Sequence, residues 1–155
     1  MRPYVVGVAG GTGSGKTTVA RKIVEGGGAD VCVLEHDTYY RDRPDLSYEE
    51  RCQLNFDHPG SLETTLLLEH IRAIKSGETV HAPTYDFKTH RRGDETRLVV
   101  PAPILVVEGI LLFVEPEIRA DRGAIAVPDR PGIGYRPVED RIEARTVRTR
   151  TFTPE

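Results

Sequence analysis

The chain has 155 residues, of which 38% are hydrophobic and 29% are charged, and its formal net charge is −3. This length predicts one globular domain over residues 1–155. The small negative charge excludes a general attraction to nucleic acid or to anionic lipid. Neither Cys32 nor Cys52 belongs to a C-x-x-C pair or a metal-binding spacing, so reduced thiols and a cytoplasmic location are expected. The apolar runs are too short to span a membrane.

The first part of the chain predicts a strand, a helix and a second strand. The run Tyr4–Ala9 is apolar, β-branched and followed by glycine, which is typical of a buried parallel strand. Thr17–Glu25 has its apolar side chains on one helical face and ends at three glycines. Val31–Leu34 is predicted as the second strand, and a polar loop is expected to follow as far as Pro59.

The alternation continues in the second part of the chain. Ser61 is expected to cap a helix that ends at Gly77 and turns five side chains to the core, namely Leu62, Leu66, Leu67, Ile71 and Ile74. Further strands are predicted at Ile104–Val107, at Ala124–Val127 and, as a minor one, at Arg97–Val100. Alternating strands and helices favour an α/β fold with three layers (α/β/α) and a mostly parallel sheet.

A glycine-rich segment between the first strand and the first helix matches the Walker A pattern, Gly-x-x-x-x-Gly-Lys-Thr. Its glycines allow backbone N–H groups to approach phosphate oxygens, and the helix that follows adds its unpaired N–H groups. The lysine would reach the β- and γ-phosphates, and the threonine would place its hydroxyl on Mg²⁺. The segment predicts binding of ATP or GTP in the P-loop kinase form of the fold, by Gly10, Gly11, Thr12, Gly13, Ser14, Gly15, Lys16, Thr17 and Thr18.

Two carboxylates follow predicted strands at the edge of the sheet where α/β proteins bind ligands. Asp37 comes just after the second strand, where it would orient a substrate hydroxyl and accept its proton. Because positioning matters more than basicity in a loose transition state, an Asp with an ordinary pKa suffices for this role. A helix cap or a turn is the other interpretation of this residue. Glu108 ends the run PILVVEG, and a carboxylate there commonly serves Mg²⁺ or its waters. An unpaired charge buried in this run would be costly.

The segment APTYDFKTHRR combines ring surfaces with polar groups, at Tyr85, Phe87 and His90. Such a set suits a flat heterocycle and its sugar. A loop that simply packs two aromatic side chains is an equally good interpretation of this segment by itself. Binding of a small-molecule nucleoside is therefore one of two open interpretations of this segment.

Five segments together, GGTGSGKTT, HDTYYRD, NFDHPGS, PTYDFKTHRR and VVEGILLF, resemble the uridine/cytidine kinases of the uridine kinase and phosphoribulokinase superfamily over residues 4–115. The resemblance implies transfer of the ATP γ-phosphoryl to the 5′-hydroxyl of uridine or cytidine in pyrimidine salvage. It also implies homo-oligomers, since members of this family often assemble, although no interface can be read from these segments.

The resemblance implies roles residue by residue. Asp37 and Lys16 would be catalytic, Thr17 and Glu108 would form the magnesium site, and Asp57 would bind the ribose hydroxyls. The residues around the pyrimidine would be Tyr85, Phe87 and His90. One small departure is Gly60, which stands where the family usually has an acid.

The resemblance ends after Pro116, so residues 116–155 are expected to form a divergent or truncated lid region. In an ungapped alignment Arg145 and Arg150 fall on the phosphate-contacting arginines of the family lid, whereas neighbouring family residues are replaced. A disturbed reading frame or a truncated gene would explain this difference, and either would impair the activity. A solvated charged helix is the alternative interpretation of these arginines.

Two other functions fit the same motifs. One is a sister kinase of the superfamily, acting on ribulose 5-phosphate or pantothenate. The other is a non-catalytic nucleotide-binding remnant that retains Walker A affinity and transfers nothing. The aromatic side chains of PTYDFKTH favour a nucleoside over a sugar phosphate, which would need more basic residues around the acceptor.

Overall fold

The structure is a computed structural model that describes residues 3–114 and residues 125 and 126. Its helices and strands are, in chain order, β1 Tyr4–Ala9, α1 Lys16–Gly27, β2 Val31–Glu35, α2 Tyr48–Cys52, α3 Thr64–Lys75, β3 Val80–Asp86, β4 Arg91–Val99, β5 Ile104–Gly109 and β6 Ile125–Ala126. In this described part of the chain, no helix is long and apolar enough to cross a membrane.

Four strands form a parallel sheet in the order β2-β5-β1-β6. The register pairs Ala9 with Gly109 and Glu35 with Glu108. Parallel pairing therefore brings the carboxyl ends of β1, β2 and β5 to one edge. The glycine-rich loop, Asp37 and Glu108 all follow or end these strands, so the topology places the predicted site at this edge.

Side-chain alternation along the strands produces two hydrophobic layers. On one face Val8 and Val106 are buried against Ala20 of α1. On the other face the buried side chains of β2 and β5 join those of α3 and of the β3–β4 hairpin, namely Cys32, Leu34, Leu105, Val107, Leu67, Ile71, Ile74, Val80, Ala82 and Val99. The prediction of an α/β/α fold with a parallel sheet is confirmed.

Strands β3 and β4 form a separate two-stranded antiparallel hairpin. The strands predicted for this region were too few and too short. Only a minor strand at Arg97–Val100 was expected, and none was expected at Val80–Asp86. The reason is that β4 is almost entirely exposed and polar, while Pro83 interrupts the apolar pattern of β3. The pairing shifts register between Pro83 and Tyr85, an irregularity of the kind that bends a strand locally.

The start of the third helix also differs from the prediction. Ser61 lies in a short 3₁₀ turn and donates its hydroxyl to the backbone oxygen of Asn55 at 2.6 Å, so it does not cap α3. Leu62 is buried as expected, but its backbone pairs with Tyr40 as an isolated bridge. This bridge holds residue 62 in an extended conformation, and α3 therefore begins two residues later at Thr64.

Candidate functional site

The loop between β1 and α1 has the backbone of a phosphate-binding loop. Gly13 and Gly15 have φ angles of 79° and 85°, a region that side-chain-bearing residues rarely occupy. The Ser14 N–H donates to the backbone oxygen of Gly11 at 3.1 Å and closes the turn. Residues 10–18, predicted to bind ATP, all lie in this loop or in the first turn of α1. Lys16, the first residue of the helix, is buried with 8% of its surface exposed.

The amino end of α1 is open to an anion. No side chain caps this end, and the first turn contains no acidic residue. The first N–H groups of a helix have no partner within the helix, and its dipole favours negative charge there. The hydroxyl of Ser14 is buried without a hydrogen-bond partner in the same loop. Phosphate oxygens would satisfy these donors, so the loop fits the triphosphate of a nucleotide.

Two carboxylates lie beside the loop and each has one unpartnered oxygen. The Thr17 hydroxyl donates to Glu108 Oε1 at 3.1 Å, while Oε2 of Glu108 is buried without a partner. The Ile110 N–H donates to the carboxylate of Asp37, whose Oδ1 is likewise buried and unpartnered. Buried polar atoms of this kind indicate a ligand group that completes their hydrogen bonds or coordination.

Burial raises the pKa of Glu108 and the pKa of Asp37, and Lys16 opposes the rise in both cases. An ordinary pKa would suffice for the role expected of Asp37, but the structure raises this pKa, chiefly through burial of the carboxyl group. Glu35 adds a third negative charge that raises both pKa values. This local excess of carboxylate over cation is chemically suited to a divalent cation.

Magnesium fits the oxygen groups at this place. Thr17 Oγ1 and the carboxylate of Glu108 are hard oxygen ligands of the type that Mg²⁺ prefers. Within residues 3–114 there is no cluster of three His, Cys, Asp or Glu side chains able to hold a metal alone. Mg²⁺ usually combines one or two protein ligands with substrate phosphates and water, which agrees with a site next to the phosphate loop.

The three predicted base-binding rings belong to one aromatic cluster outside the hydrophobic core. Tyr40 packs against Phe56 and Tyr85, with ring centroids 5.1 and 5.2 Å apart. Phe87 continues from Tyr85 at 5.3 Å and is 57% exposed, and His90 stacks on Phe56 at 4.9 Å. We call these five residues the aromatic cluster. Tyr40 is buried, whereas the other four rings are partly or largely exposed and offer faces and edges that suit a planar heterocycle.

Tyr40 connects the aromatic cluster to the carboxylates. Its pKa is raised to about 12 by burial first, and then by the negative charges of Asp37 and Asp57. Both predicted acids therefore lie close enough to Tyr40 for their charges to act on its hydroxyl. Asp57 itself is exposed. Asp37 and Asp57, which are predicted to bind the phosphoryl acceptor, and the ring of Tyr85 therefore all lie near Tyr40, although they come from different parts of the chain.

Arginines on the hairpin hold the aromatic cluster in place. Arg92 donates to Glu63 Oε2 at 2.7 Å and to the backbone oxygen of Tyr40 at 3.0 Å. Arg91 donates from Nε to Asp42 at 2.7 Å. These bonds join the hairpin, which carries Tyr85 and His90, to the segment that carries Asp37 and Tyr40. Both arginines end the segment PTYDFKTHRR, but no role for them follows from the sequence, because their partners lie 29 to 52 residues away.

Arg92→Ala is expected to destabilise the protein by about 2 kcal/mol, because the half-buried carboxylate of Glu63 and the backbone oxygen of Tyr40 lose charge-assisted donors. For a domain of this size that corresponds to a melting temperature lower by roughly 4–8 °C, measurable by circular dichroism. Arg43→Ala is the matched control, since its ion pair with Asp45 is exposed and joins residues two positions apart. An equal shift in both variants would contradict this role of Arg92.

Some of the predicted residues lie in the part of the chain that the structure does not describe, and some residues of the site were not predicted. Arg145 and Arg150 lie outside the described residues, as does the expected lid region 116–155 except for the short strand β6. Sequence reasoning missed Tyr40, Phe56 and Glu35. Each lies within or next to a segment that the resemblance used, HDTYYRD or NFDHPGS, but only the fold brings them to the predicted site.

A parallel sheet with a glycine-rich loop between β1 and α1 defines a P-loop nucleotide-binding protein. The sequence model of the Phosphoribulokinase / Uridine kinase family matches residues 5–122. The chain belongs to this family, which confirms the resemblance inferred from its motifs.

Individual relatives agree with the family assignment. The uridine kinase of Chloroflexus aurantiacus is 47% identical over 118 residues, which are 76% of this chain and 56% of the relative. That of Halalkalibacterium halodurans is 44% identical over 119 residues, with the same two coverages. The chain thus spans little more than half the length of these relatives.

Solved structures share the fold. A structure described as a possible uridine kinase from Bacillus stearothermophilus has a TM-score of 0.62 at 23% identity, and covers 84% of this chain and 73% of its own. A D-glycerate 3-kinase from Cryptococcus neoformans has a TM-score of 0.50 at 26% identity, and covers 72% of this chain and 44% of its own. The same fold therefore occurs in proteins named for different phosphoryl acceptors.

Proposed function

We propose that the protein transfers the γ-phosphoryl group of ATP to the 5′-hydroxyl of uridine or cytidine, with Mg²⁺, in the cytoplasm. One observation above all supports this function. Asp37 Oδ1 is buried without a partner, and the charge of this carboxylate interacts both with Lys16 of the phosphate loop and with Tyr40 of the aromatic cluster. A hydroxyl bonded to this oxygen would therefore be near both the phosphate loop and a surface for a heterocycle.

On the donor side, the loop amides and Lys16 would bind and orient the triphosphate. Lys16 would place its charge on the β- and γ-phosphates, where negative charge is concentrated during transfer. Magnesium, when bound by Thr17 and Glu108, supplies positive charge to the phosphate oxygens. Because phosphoryl transfer has a loose transition state, positioning and electrostatic stabilisation provide most of the catalysis.

On the acceptor side, Asp37 would accept a hydrogen bond from the 5′-hydroxyl and take its proton as the new O–P bond forms. Burial raises the pKa of this half-buried carboxylate, while Lys16 and the Ile110 N–H favour its charged form. Asp57 would accept hydrogen bonds from the ribose hydroxyls. Tyr85, Phe87 and His90 would surround the pyrimidine with ring faces and with the nitrogen atoms of one imidazole.

The arginines near the site favour a nucleoside over a sugar phosphate. A phosphorylated acceptor needs cations for its phosphate group. In this structure Arg91 and Arg92 are bonded to Asp42 and Glu63, and Arg51 donates to the backbone oxygens of Thr89 and Leu46. These guanidinium groups are occupied in holding the hairpin, which argues against an acceptor such as ribulose 5-phosphate.

A coupled ADP-release assay tests the proposal. ATP and Mg²⁺ are supplied with uridine, cytidine, ribulose 5-phosphate, pantothenate or no acceptor. We expect ADP release only with the two nucleosides. Release with ribulose 5-phosphate or pantothenate alone would indicate a sister kinase. ATP binding without release for any acceptor would indicate a nucleotide-binding remnant.

A further inference from the structure

The side chain of His36 packs directly against the backbone of Gly109, just beyond the end of β2 and at the end of β5. A Cβ atom added to residue 109 would lie 2.4 Å from Cβ of His36 and 3.2 Å from its Cγ and Nδ1. Real Cβ atoms essentially never approach another atom as closely as the first of these distances. Glycine at residue 109 therefore permits an approach of two strand ends that no other residue would allow.

This contact lies between the two carboxylates of the site. Asp37 directly follows His36, and Glu108 directly precedes Gly109. The next residue, Ile110, donates its backbone N–H to the carboxylate of Asp37. Two consecutive residues at the end of β5 thus contact two consecutive residues after β2: Gly109 contacts His36, and Ile110 contacts Asp37. Any change in the separation of these strand ends moves Asp37 relative to Glu108.

A second element holds His36 from the opposite side. The side chain of His36 is 1% exposed, and its Nε2 lies 3.2 Å from the hydroxyl of Thr64, the first residue of α3. Burial lowers the pKa of His36 to about 4, so the imidazole is neutral at neutral pH. A flat ring enclosed between α3 and β5 has little freedom to move, and its Cβ is fixed against Gly109.

We propose that His36 and Gly109 form a positioning pair that sets the distance between the catalytic carboxylate of Asp37 and Glu108. This inference rests on the proposed phosphoryl transfer. Restoring ordinary van der Waals contact at residue 109 after addition of a Cβ requires the strand ends to separate by about 1 Å. A misplacement of this size at a reacting group costs about 10² in rate. The phosphate loop begins just after Ala9, which pairs with Gly109 in the sheet, but the three atoms nearest to the added Cβ all belong to His36 and none to the loop.

Gly109→Ala in the full chain is the first test. We expect kcat for uridine to fall about 10²-fold, while the Kd for ATP and the KM for uridine change less than about threefold. Gly26→Ala is the matched control, because, apart from its chain neighbours and the backbone of α1 itself, no heavy atom lies within 4 Å of a Cβ added at residue 26. The control should retain the wild-type kcat. Equal kcat values for the two variants would overturn the inference.

His36→Gln and His36→Ala test the other member of the pair and decide the matter if Gly109→Ala does not fold. Both variants keep the Cβ that lies against Gly109. Gln also places an amide near the Thr64 hydroxyl, whereas Ala leaves a cavity in place of the ring and frees residue 36 to move. We expect kcat per ATP-binding site to fall about tenfold in His36→Ala and to recover to within about threefold in His36→Gln. A purely structural role would lower the melting temperature and leave kcat per site unchanged, which would overturn the inference.

Measurements on the wild-type protein distinguish a failure of the positioning pair from a failure of the proposed function. If the wild type transfers phosphoryl groups to nucleosides and Gly109→Ala does so equally well, only the positioning pair is wrong. If the wild type binds ATP and transfers nothing to any acceptor, the proposed function fails and the positioning pair fails with it. If the wild type uses another acceptor hydroxyl, the same variants are compared with that acceptor and the same loss is expected.

Discussion

Asp37→Asn is expected to lower kcat for uridine phosphorylation by about 10³, within the range that a positioned general base contributes. The amide is nearly the same size as the carboxylate, and its oxygen still accepts the Ile110 N–H. It cannot take the proton of the acceptor hydroxyl at neutral pH. Because the phosphate loop is unchanged, the Kd for ATP should stay within about twofold of wild type. Steady-state kinetics and calorimetric ATP titration measure the two quantities.

Asp30→Asn is the matched control for this variant. Asp30 is exposed and precedes strand β2, at the opposite end of the strand from Asp37. It should leave both kcat and the Kd for ATP unchanged. A variant Asp37→Asn that lost ATP affinity as strongly as turnover would show that this side chain supports the fold of the site. In that case the acceptor side of the proposed mechanism would be wrong.

Lys16→Ala is expected to weaken ATP binding by about 10²-fold, because two charge-assisted bonds to the phosphates are lost at about 1.5–3 kcal/mol each before compensation by water. The loss is large because Lys16 is buried at the start of α1, where few water molecules can replace its ammonium group. Turnover at saturating ATP should fall as well, since the lysine also stabilises charge on the transferring group. Calorimetric titration with MgATP measures the affinity.

Lys22→Ala serves as the control for the loss of a positive charge from the same helix. Lys22 lies in α1 and is exposed. Its removal should leave ATP affinity within about twofold of wild type, because an exposed charge is screened by salt and water. Equal weakening by both substitutions would mean that the helix as a whole attracts the nucleotide and that Lys16 has no direct contact with it.

Local sequence determined the donor side of this protein. The spacing Gly10-x-x-x-x-Gly15-Lys16-Thr17 specifies a loop by backbone preference alone, since Gly13 and Gly15 occupy conformations that favour glycine. The apolar runs that end at Glu35 and Glu108 specify buried parallel strands. Both signals act within about ten residues, so no tertiary contact is needed to recognise them. The parallel sheet and its ligand-binding edge follow from the alternation of these elements.

The tertiary structure alone decided the acceptor side. Strand β4 has a polar, exposed sequence, and it is ordered by pairing with β3 rather than by its own hydrophobic pattern. Arg92 finds Glu63 and the Tyr40 carbonyl only when the hairpin folds back over the sheet edge. The raised pKa of Asp37 and the close approach of His36 to Gly109 also depend on distant segments. Burial, ion pairing and steric fit depend on contacts between residues far apart in the chain. The sequence of a single segment therefore does not predict them.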